Sequence, residues 1–380
     1  MTHKAVGKNQ EKEGKAKTPV SDQIKDLEDE LSKTKYNKAT QHHIGLVKAK
    51  IARLREKQEA RGKSGKKGEG YSVKKSGEAS VVLLGFPSVG KSTLLNSLTN
   101  ADSPVGDYAF TTLTVIPGIM EYKHAKIQIL DVPGIVKGAS SGTGRGKEVL
   151  QVIRNADFVI ILLDVFHPEQ YDVIKKEVYN SKVRLNQKPP DVRITKKGRG
   201  GIQIGKTVLL PDLNEGTIRS ILKEFKISNA SVLIRERINA DEFIDVVQKN
   251  RTYSNSITVL NKIDMVSKEY LQKIKKMIKP DVCVSAEKNE NIDELKEKIF
   301  EGLEFIRVYC KEVGKPADIE VPVIIKKNST VEDFANKLHK DFASKFRFSK
   351  VWGKSAKFPG QKKSLGHRIL DQDVVEIHIR

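Results

Sequence analysis

The residues best suited to chemistry lie in four short segments arranged in one order along the chain. The first is Gly85-Phe-Pro-Ser-Val-Gly-Lys-Ser92, which follows the apolar run Ala79–Leu84 and precedes the helix-like Thr93–Leu98. In that context a glycine-containing loop turns backbone N–H groups onto phosphate oxygens, and the helix N-terminus adds positive potential. Gly85, Ser88, Val89 and Gly90 would supply loop backbone and Thr93 would line the same site. Lys91 would reach the β- and γ-phosphates, and the Ser92 hydroxyl would ligate magnesium. The competing reading is a strand-to-helix turn that holds no ligand.

The second segment, Asp131-Val-Pro-Gly134, follows the strand-like Ile127–Leu130. At the carboxyl end of a strand, Asp131 can hold magnesium through water while the Gly134 N–H approaches the γ-phosphate. By itself such a tetrapeptide is an ordinary turn. The third and fourth segments, Asn261-Lys262-Ile263-Asp264 and Ser285-Ala286-Glu287, follow the runs Ile257–Leu260 and Val282–Val284. An Asp264 carboxylate can accept from both guanine N1–H and the exocyclic amine, which adenine does not offer, and the Ala286 N–H can donate to guanine O6. Loss of such paired hydrogen bonds discriminates between bases by orders of magnitude. All four segments in sequence imply a magnesium–GTP site and disfavour an ATP-dependent enzyme.

Elements able to position these residues are legible. Ala79–Leu84, Ile127–Leu130, Phe158–Leu163, Ile257–Leu260 and Val282–Val284 are continuous apolar runs of the kind buried in a parallel sheet, and helical patterns lie between several of them. The expected fold is therefore α/β, an open sheet joined by crossovers. About 90 residues separate Asp164 from Ile257, far more than one crossover needs, which predicts an inserted subdomain over 171–237 containing the basic stretch Lys196–Gly201.

Upstream, Ile24, Leu27 and Leu31, then Ile44, Val47, Ile51 and Leu54, recur at helical spacing and predict a helical hairpin, with Arg55–Gly77 as a flexible linker. Downstream, a helix over Ile292–Ile306 leads to strand-like Val321–Ile325 and Val374–Ile379 around a helix Val331–Phe342 capped by Ser329. The expected divisions are 1–76, 77–170, 171–237, 238–304 and 305–380.

Composition sets bounds. Hydrophobic residues make up 38% and charged residues 31% of 380 residues, enough apolar material for several cores. No apolar run approaches the roughly 20 residues that span a bilayer, and the N-terminus lacks a secretory pattern, so a cytoplasmic protein without membrane contact is expected. Cys283 and Cys310 form no metal or disulfide pattern. Net charge is +21, with twenty Lys and Arg against ten acids in 1–76 and sixteen against nine in 305–380. Such ends suit a polyanion such as RNA; the plainer reading is solubility.

The set GFPSVGKS, FTTL, DVPG, NKID and SAE resembles the translation-factor-like GTPases and, within them, the Obg group. With KATQHHIGLVKAKIARLR, DYAFTTLTVIPGIM and VWGKSAKFPGQ, the chain resembles the developmentally regulated GTP-binding (DRG) proteins over essentially its whole length. That resemblance implies switch I at Phe110-Thr111-Thr112-Leu113, with Thr112 a second protein ligand to magnesium and, beside Lys91 and Gly134, a catalytic residue. It further implies an insertion similar to a ribosomal-protein S5 fold, a C-terminal ubiquitin-like β-grasp (TGS) domain and a DRG-regulatory-type partner protein; a monomer is expected. Gln372 stands where TGS domains commonly have Gly.

After the second motif, where many small GTPases have a water-orienting glutamine, stands Ile135, which neither donates nor accepts, so slow intrinsic hydrolysis is expected. Relatives with a hydrophobic residue here often use potassium held by an Asn two residues before the second loop glycine; here that residue is Ser88, and potassium use stays open. Arg145 is a candidate to act in cis, weighed against an ordinary surface charge. The leading expectation is a GTP-hydrolysing switch acting on ribosomes or translation. The alternative is a nucleotide-gated RNA- or ribosome-binding scaffold whose hydrolysis is incidental.

Overall fold

The structure, a computed structural model, describes residues 19–62, 77–99, 115–133 and 146–379. Contacts divide the chain into two units, one formed by Met1–Glu69 with Pro189–Asn250, the other by Gly70–Lys188 with Arg251–Arg380.

Helices α1 (Val20–Lys33) and α2 (Gln41–Gly62) form the expected hairpin. Ile24, Leu27 and Leu31 of α1 pack with Val47, Ile51 and Leu54 of α2, each fully buried aliphatic chain contributing about 1.5–3 kcal/mol. α2 runs on to Gly62, so residues 55–62 are helical where a linker was expected. Arg, Glu, Lys, Gln and Ala there are strong helix formers.

The second unit begins with β1 (Ala79–Leu84), α3 (Lys91–Leu98), β2 (Ile116–Tyr122), β3 (Ala125–Asp131), α4 (Gly146–Asn155), β4 (Phe158–Asp164), α5 (Gln170–Asn180) and β5 (Val183–Leu185). The chain then enters the insertion, with β6 (Val192–Lys196), β7 (Ile202–Lys206), α6 (Glu215–Glu224), β8 (Ala230–Ile234) and α7 (Ala240–Gln248). It returns with β9 (Thr252–Asn261), α8 (Lys268–Ile278), β10 (Val282–Cys283) and α9 (Ile292–Gly302).

The insertion is a three-stranded sheet ordered β6-β8-β7 covered by α6 and α7, and its core also takes in Ala49 and Ala52 of α2. A side chain at Gly45 would meet Thr217 at 2.6 Å, so small residues on α2 let the helix lie close on α6. Arg53 pairs with Glu224 at 2.8 Å, and Lys48 with Asp241 at 2.5 Å. The expected limits of 171 and 237 differ from those of this unit, which spans Pro189–Asn250. Residues 171–185 instead supply α5 and β5, and β5 pairs in parallel with β9.

The large sheet runs β10-β9-β4-β1-β3-β2, parallel except for β2, which pairs antiparallel with β3. Along β4, Phe158, Ile160 and Leu162 join the core under α3 and α9, while Val159, Ile161 and Leu163 join the core under α4, α5 and α8. Both faces are covered, which is why these strands read as unbroken apolar runs.

The C-terminal part holds β11 (Phe305–Cys310), β12 (Val323–Lys326), α10 (Val331–Leu338), α11 (Lys340–Ser344), β13 (Phe346–Trp352), β14 (Gln361–Lys363) and β15 (Asp373–Ile379), with sheet order β12-β11-β15-β13-β14. Its core is Ile306, Val308, Ile325, Val331, Phe334, Val351, Ile369 and Val375. Three expectations shift. α9 stops at Gly302, and Phe305 and Ile306 begin β11. The cap of α10 is Thr330, not Ser329, in a reciprocal capping box with Asp333. His339 then breaks the helix into two. Gln372 adopts φ 69°, so the left-handed turn is kept although glycine is absent.

Candidate nucleotide-binding site

The carboxyl ends of β1, β3, β4, β9 and β10 face one edge of the sheet, where ligands of open α/β sheets bind. Residues 85–92 join β1 to α3, and the last strand residue of β3 is Asp131, of β4 Asp164 and of β9 Asn261. Ser285 and Ala286 follow β10. In the phosphate loop Ser88 (φ 65°) and Gly90 (φ 91°) are both left-handed. A side chain at Gly90 would also lie 2.5 Å from Asn261 Nδ2, so glycine is required there by conformation and by space.

Lys91 is buried, and its ammonium donates to the carbonyls of Phe86 (3.1 Å) and Gly85 (3.5 Å), so the loop folds around its own cation. Burial pushes its pKa down, opposed by the charge of Asp131. The Ser92 hydroxyl donates to Asp131 Oδ2 at 2.7 Å. A hydroxyl and a carboxylate so placed are hard oxygen donors and fit magnesium, which takes one or two protein oxygens and completes its shell with water and substrate phosphates. Thr93 is exposed in the first turn of α3.

Asn261 ties the phosphate loop to the base loop. Its Nδ2 donates to the Val89 carbonyl (3.0 Å) and its Oδ1 accepts from the Ala286 N–H (3.1 Å), with the residue 2% exposed. The Ala286 N–H, expected to meet guanine O6, is therefore held by Asn261 here. Lys262 donates to the Ser88 carbonyl at 2.7 Å and lies 3.3 Å from Asp164 Oδ2. Asp264 sits in a short 3-10 turn, Ile263–Met265. A hydrogen bond from Ser285, and secondarily its own backbone and Lys288, hold its carboxyl below the usual range, so it is an acceptor at neutral pH.

Asp164 was missed from sequence. It is buried, its Oδ1 accepts from the N–H groups of Phe166 and His167, and it steadies Lys262. A carboxylate ending a wholly apolar strand, aligned with Asn261 in the β4–β9 register, is the signal that marks it. Phe110, Thr111, Thr112, Gly134, Ile135 and Arg145 lie outside the described residues.

The family model described as 50S ribosome-binding GTPase matches residues 80–197, that described as C-terminal region of MMR_HSR1 domain matches 199–305, and the TGS domain matches 306–379. A protein of Arabidopsis thaliana named developmentally-regulated G-protein 3 is 44% identical, covering 94% of this chain and 98% of its own length. Developmentally-regulated GTP-binding protein 1 of Xenopus laevis is 43% identical over 93% of this chain and 97% of its own. The chain belongs to the DRG family. A GTP-binding protein of Methanocaldococcus jannaschii is more similar still, 53% identical over 95% of this chain and 93% of its own. This DRG-family chain is thus a GTP-binding protein with a P-loop GTPase domain and a C-terminal TGS domain. Among the described residues no helix is long and apolar enough to cross a membrane.

Proposed function

We propose that this DRG-family chain hydrolyses GTP to GDP and phosphate, slowly when alone, as a switch whose GTP form engages ribosomes or ribosomal RNA. The observation that carries the reading is the meeting of Lys91, Ser92, Asp131, Asn261 and Asp264 on one sheet edge, with Asn261 bonded to both the phosphate and the base loop. Lys91 and the loop N–H groups would hold the phosphates, Ser92 and Asp131 would hold magnesium, and Asp264 would read guanine. Magnesium, when bound, neutralises charge developing between the β- and γ-phosphates. Ile135, in the water-orienting position, supports a slow rate and dependence on an outside activator, be it a ribosome, a protein partner or potassium.

The ribosome reading is supported by the description of the matched GTPase family, by the TGS domain, and by the basic residues of 1–76 and 305–380. Neutralised phosphates release counterions, so binding should fall steeply with salt. The test is co-sedimentation of the full chain and of truncations lacking 1–76 or 305–380 with ribosomes across a salt series, alongside single-turnover hydrolysis with and without ribosomes, in potassium and in sodium. Weaker pelleting of the truncations and faster turnover on ribosomes are expected. Truncations that pellet like the full chain at every salt concentration would show that the basic ends only solubilise. Turnover unmoved by every activator would favour a nucleotide-gated scaffold.

A further inference from the structure

The most lopsided charge distribution in the TGS domain lies on the outer half of its sheet. Residues 342–370 contain eight Lys and Arg and no Asp or Glu, whereas the rest of 305–380 contains eight against nine. This stretch comprises the end of α11, β13, the loop 353–360, β14 and the segment after it. Phe346, Phe348, Trp352 and Phe358 are interleaved with its cations.

Phe358 is 60% exposed although its ring would gain by burial. The loop that carries it is tied down on both sides. The Ser355 N–H donates to Asp373 Oδ1 (3.3 Å), the Lys357 N–H to Gln361 Oε1 (2.9 Å), and the Ser355 hydroxyl meets His367 Nε2 at 3.0 Å. Asp373 is fully buried, and the Trp352 ring lies against Gly360. The ring of Phe358 is therefore presented on an anchored loop. On the strands that flank this loop, Lys350 is opposite Lys362 on β14 and Glu376 on β15. Glu376 is buried and bonded to Lys311, Lys350 and His378, so it does not oppose an approaching anion. Ammonium groups already stand over rings: Lys362 is 4.7 Å from the Phe348 centroid and Lys311 is 5.1 Å from that of Trp352.

Cations that follow a phosphate backbone, combined with aromatic rings on which bases stack, recognise single-stranded nucleic acid with little regard to sequence. Interleaving of cations with an exposed ring matches a polyanion whose units carry flat, stackable faces. We infer that loop 353–360 and the β13–β14 edge form a contact for unpaired RNA bases, Phe358 stacking on a base while Lys354, Lys357 and Lys362 hold flanking phosphates. The inference rests on the RNA reading proposed above and assigns that reading a surface and an RNA class.

Trp352 is the only tryptophan of the chain, so intrinsic fluorescence reports on this surface. The full chain is titrated with an unstructured oligoribonucleotide and with duplex RNA, and ribosome co-sedimentation is followed in parallel. The unstructured RNA should perturb Trp352 emission. Phe358→Ala should weaken its binding by roughly five- to hundred-fold, the range that stacked bases lose on alanine substitution, with the salt dependence retained. Phe358→Tyr should keep the affinity, and duplex binding should not respond to either change. Lys354→Gln with Lys357→Gln should lower the salt slope by roughly 0.7 per lost phosphate contact. Wild-type affinity of Phe358→Ala for unstructured RNA would overturn this surface while leaving the broader RNA reading standing. Loss of ribosome pelleting by Phe358→Ala with RNA affinity intact would assign the surface to a protein partner and overturn it too. An unsubstituted chain that binds neither RNA nor ribosomes would refute the broader reading, and this one with it.

Discussion

Asn261→Ala probes the joint between the phosphate loop and the base loop. The asparagine is 2% exposed and makes two buried hydrogen bonds, to the Val89 carbonyl at 3.0 Å and from the Ala286 N–H at 3.1 Å. Alanine strands both partners, at about 1–3 kcal/mol each. Water entering from the open site recovers part of that, so a loss of roughly 2–4 kcal/mol in the nucleotide-free protein is expected. Two loops freed from each other should also bind GTP at least tenfold more weakly, each tenfold being about 1.4 kcal/mol. Asn261→Asp adds a sign test. A carboxylate facing the Val89 carbonyl in a buried position favours its protonated form, so its folded pKa lies above the unfolded value of about 3.9. The variant should be most stable below that value and lose stability as pH rises through the folded pKa. Denaturant unfolding without nucleotide, followed by calorimetric GTP titration, measures both effects. A change below about 0.5 kcal/mol for Asn261→Ala, with GTP affinity intact, would refute the claim that this side chain couples the loops.

Asp264→Asn should weaken GTP binding and favour xanthosine triphosphate, whose O2 accepts from the new amide; unchanged GTP affinity in calorimetry would remove Asp264 from the site. Ser92→Ala, which deletes the hydroxyl bonded to Asp131 at 2.7 Å, should impair magnesium-dependent GTP binding. If Thr112 belongs to switch I, as the resemblance implies, Thr112→Ala should weaken the GTP form more than the GDP form, since such segments are ordered by the γ-phosphate; equal losses for both nucleotides would argue against that assignment. Gln372→Gly should stabilise the TGS domain by up to about 1.6 kcal/mol. It relieves about 1–2 kcal/mol of left-handed strain and returns about 0.4–1 to the freer unfolded chain. Thermal unfolding read by Trp352 emission checks it, and a lowered midpoint would mean that the glutamine side chain contributes more than its strain.

The residues that meet on one sheet edge were legible where they sit at strand ends, because apolar runs mark those ends. Asp131, Asn261 and Ser285 follow such runs directly, and parallel pairing brings their carboxyl ends to one edge. Asp164 went unread because a single carboxylate after a strand has no spacing partner; its role emerges from the 3.3 Å approach of Lys262. Helix limits drifted where propensity and capping competed: residues 55–62 continue α2 on helix-forming side chains, and Thr330 takes the cap beside Ser329 because Asp333 answers it.

The amino-acid sequence by itself determined the order of the GFPSVGKS, DVPG, NKID and SAE segments, the largely parallel α/β sheet and the α1–α2 pairing, since all three follow from local periodicity and short-range spacing. Only the tertiary structure decided which distant pieces share a core. Val47, Ile51 and Leu54 announce one face of α2, but the second face, built on Gly45, Ala49 and Ala52, makes no hydrophobic stripe and yet packs on the insertion more than 160 residues away. Likewise, residues 171–185 resemble the start of an insertion by position alone, and join the GTPase sheet because β5 finds its hydrogen-bond partners on β9. Such choices depend on how closely two backbones can approach and on which strand edge is free, quantities that exist only once the chain has folded.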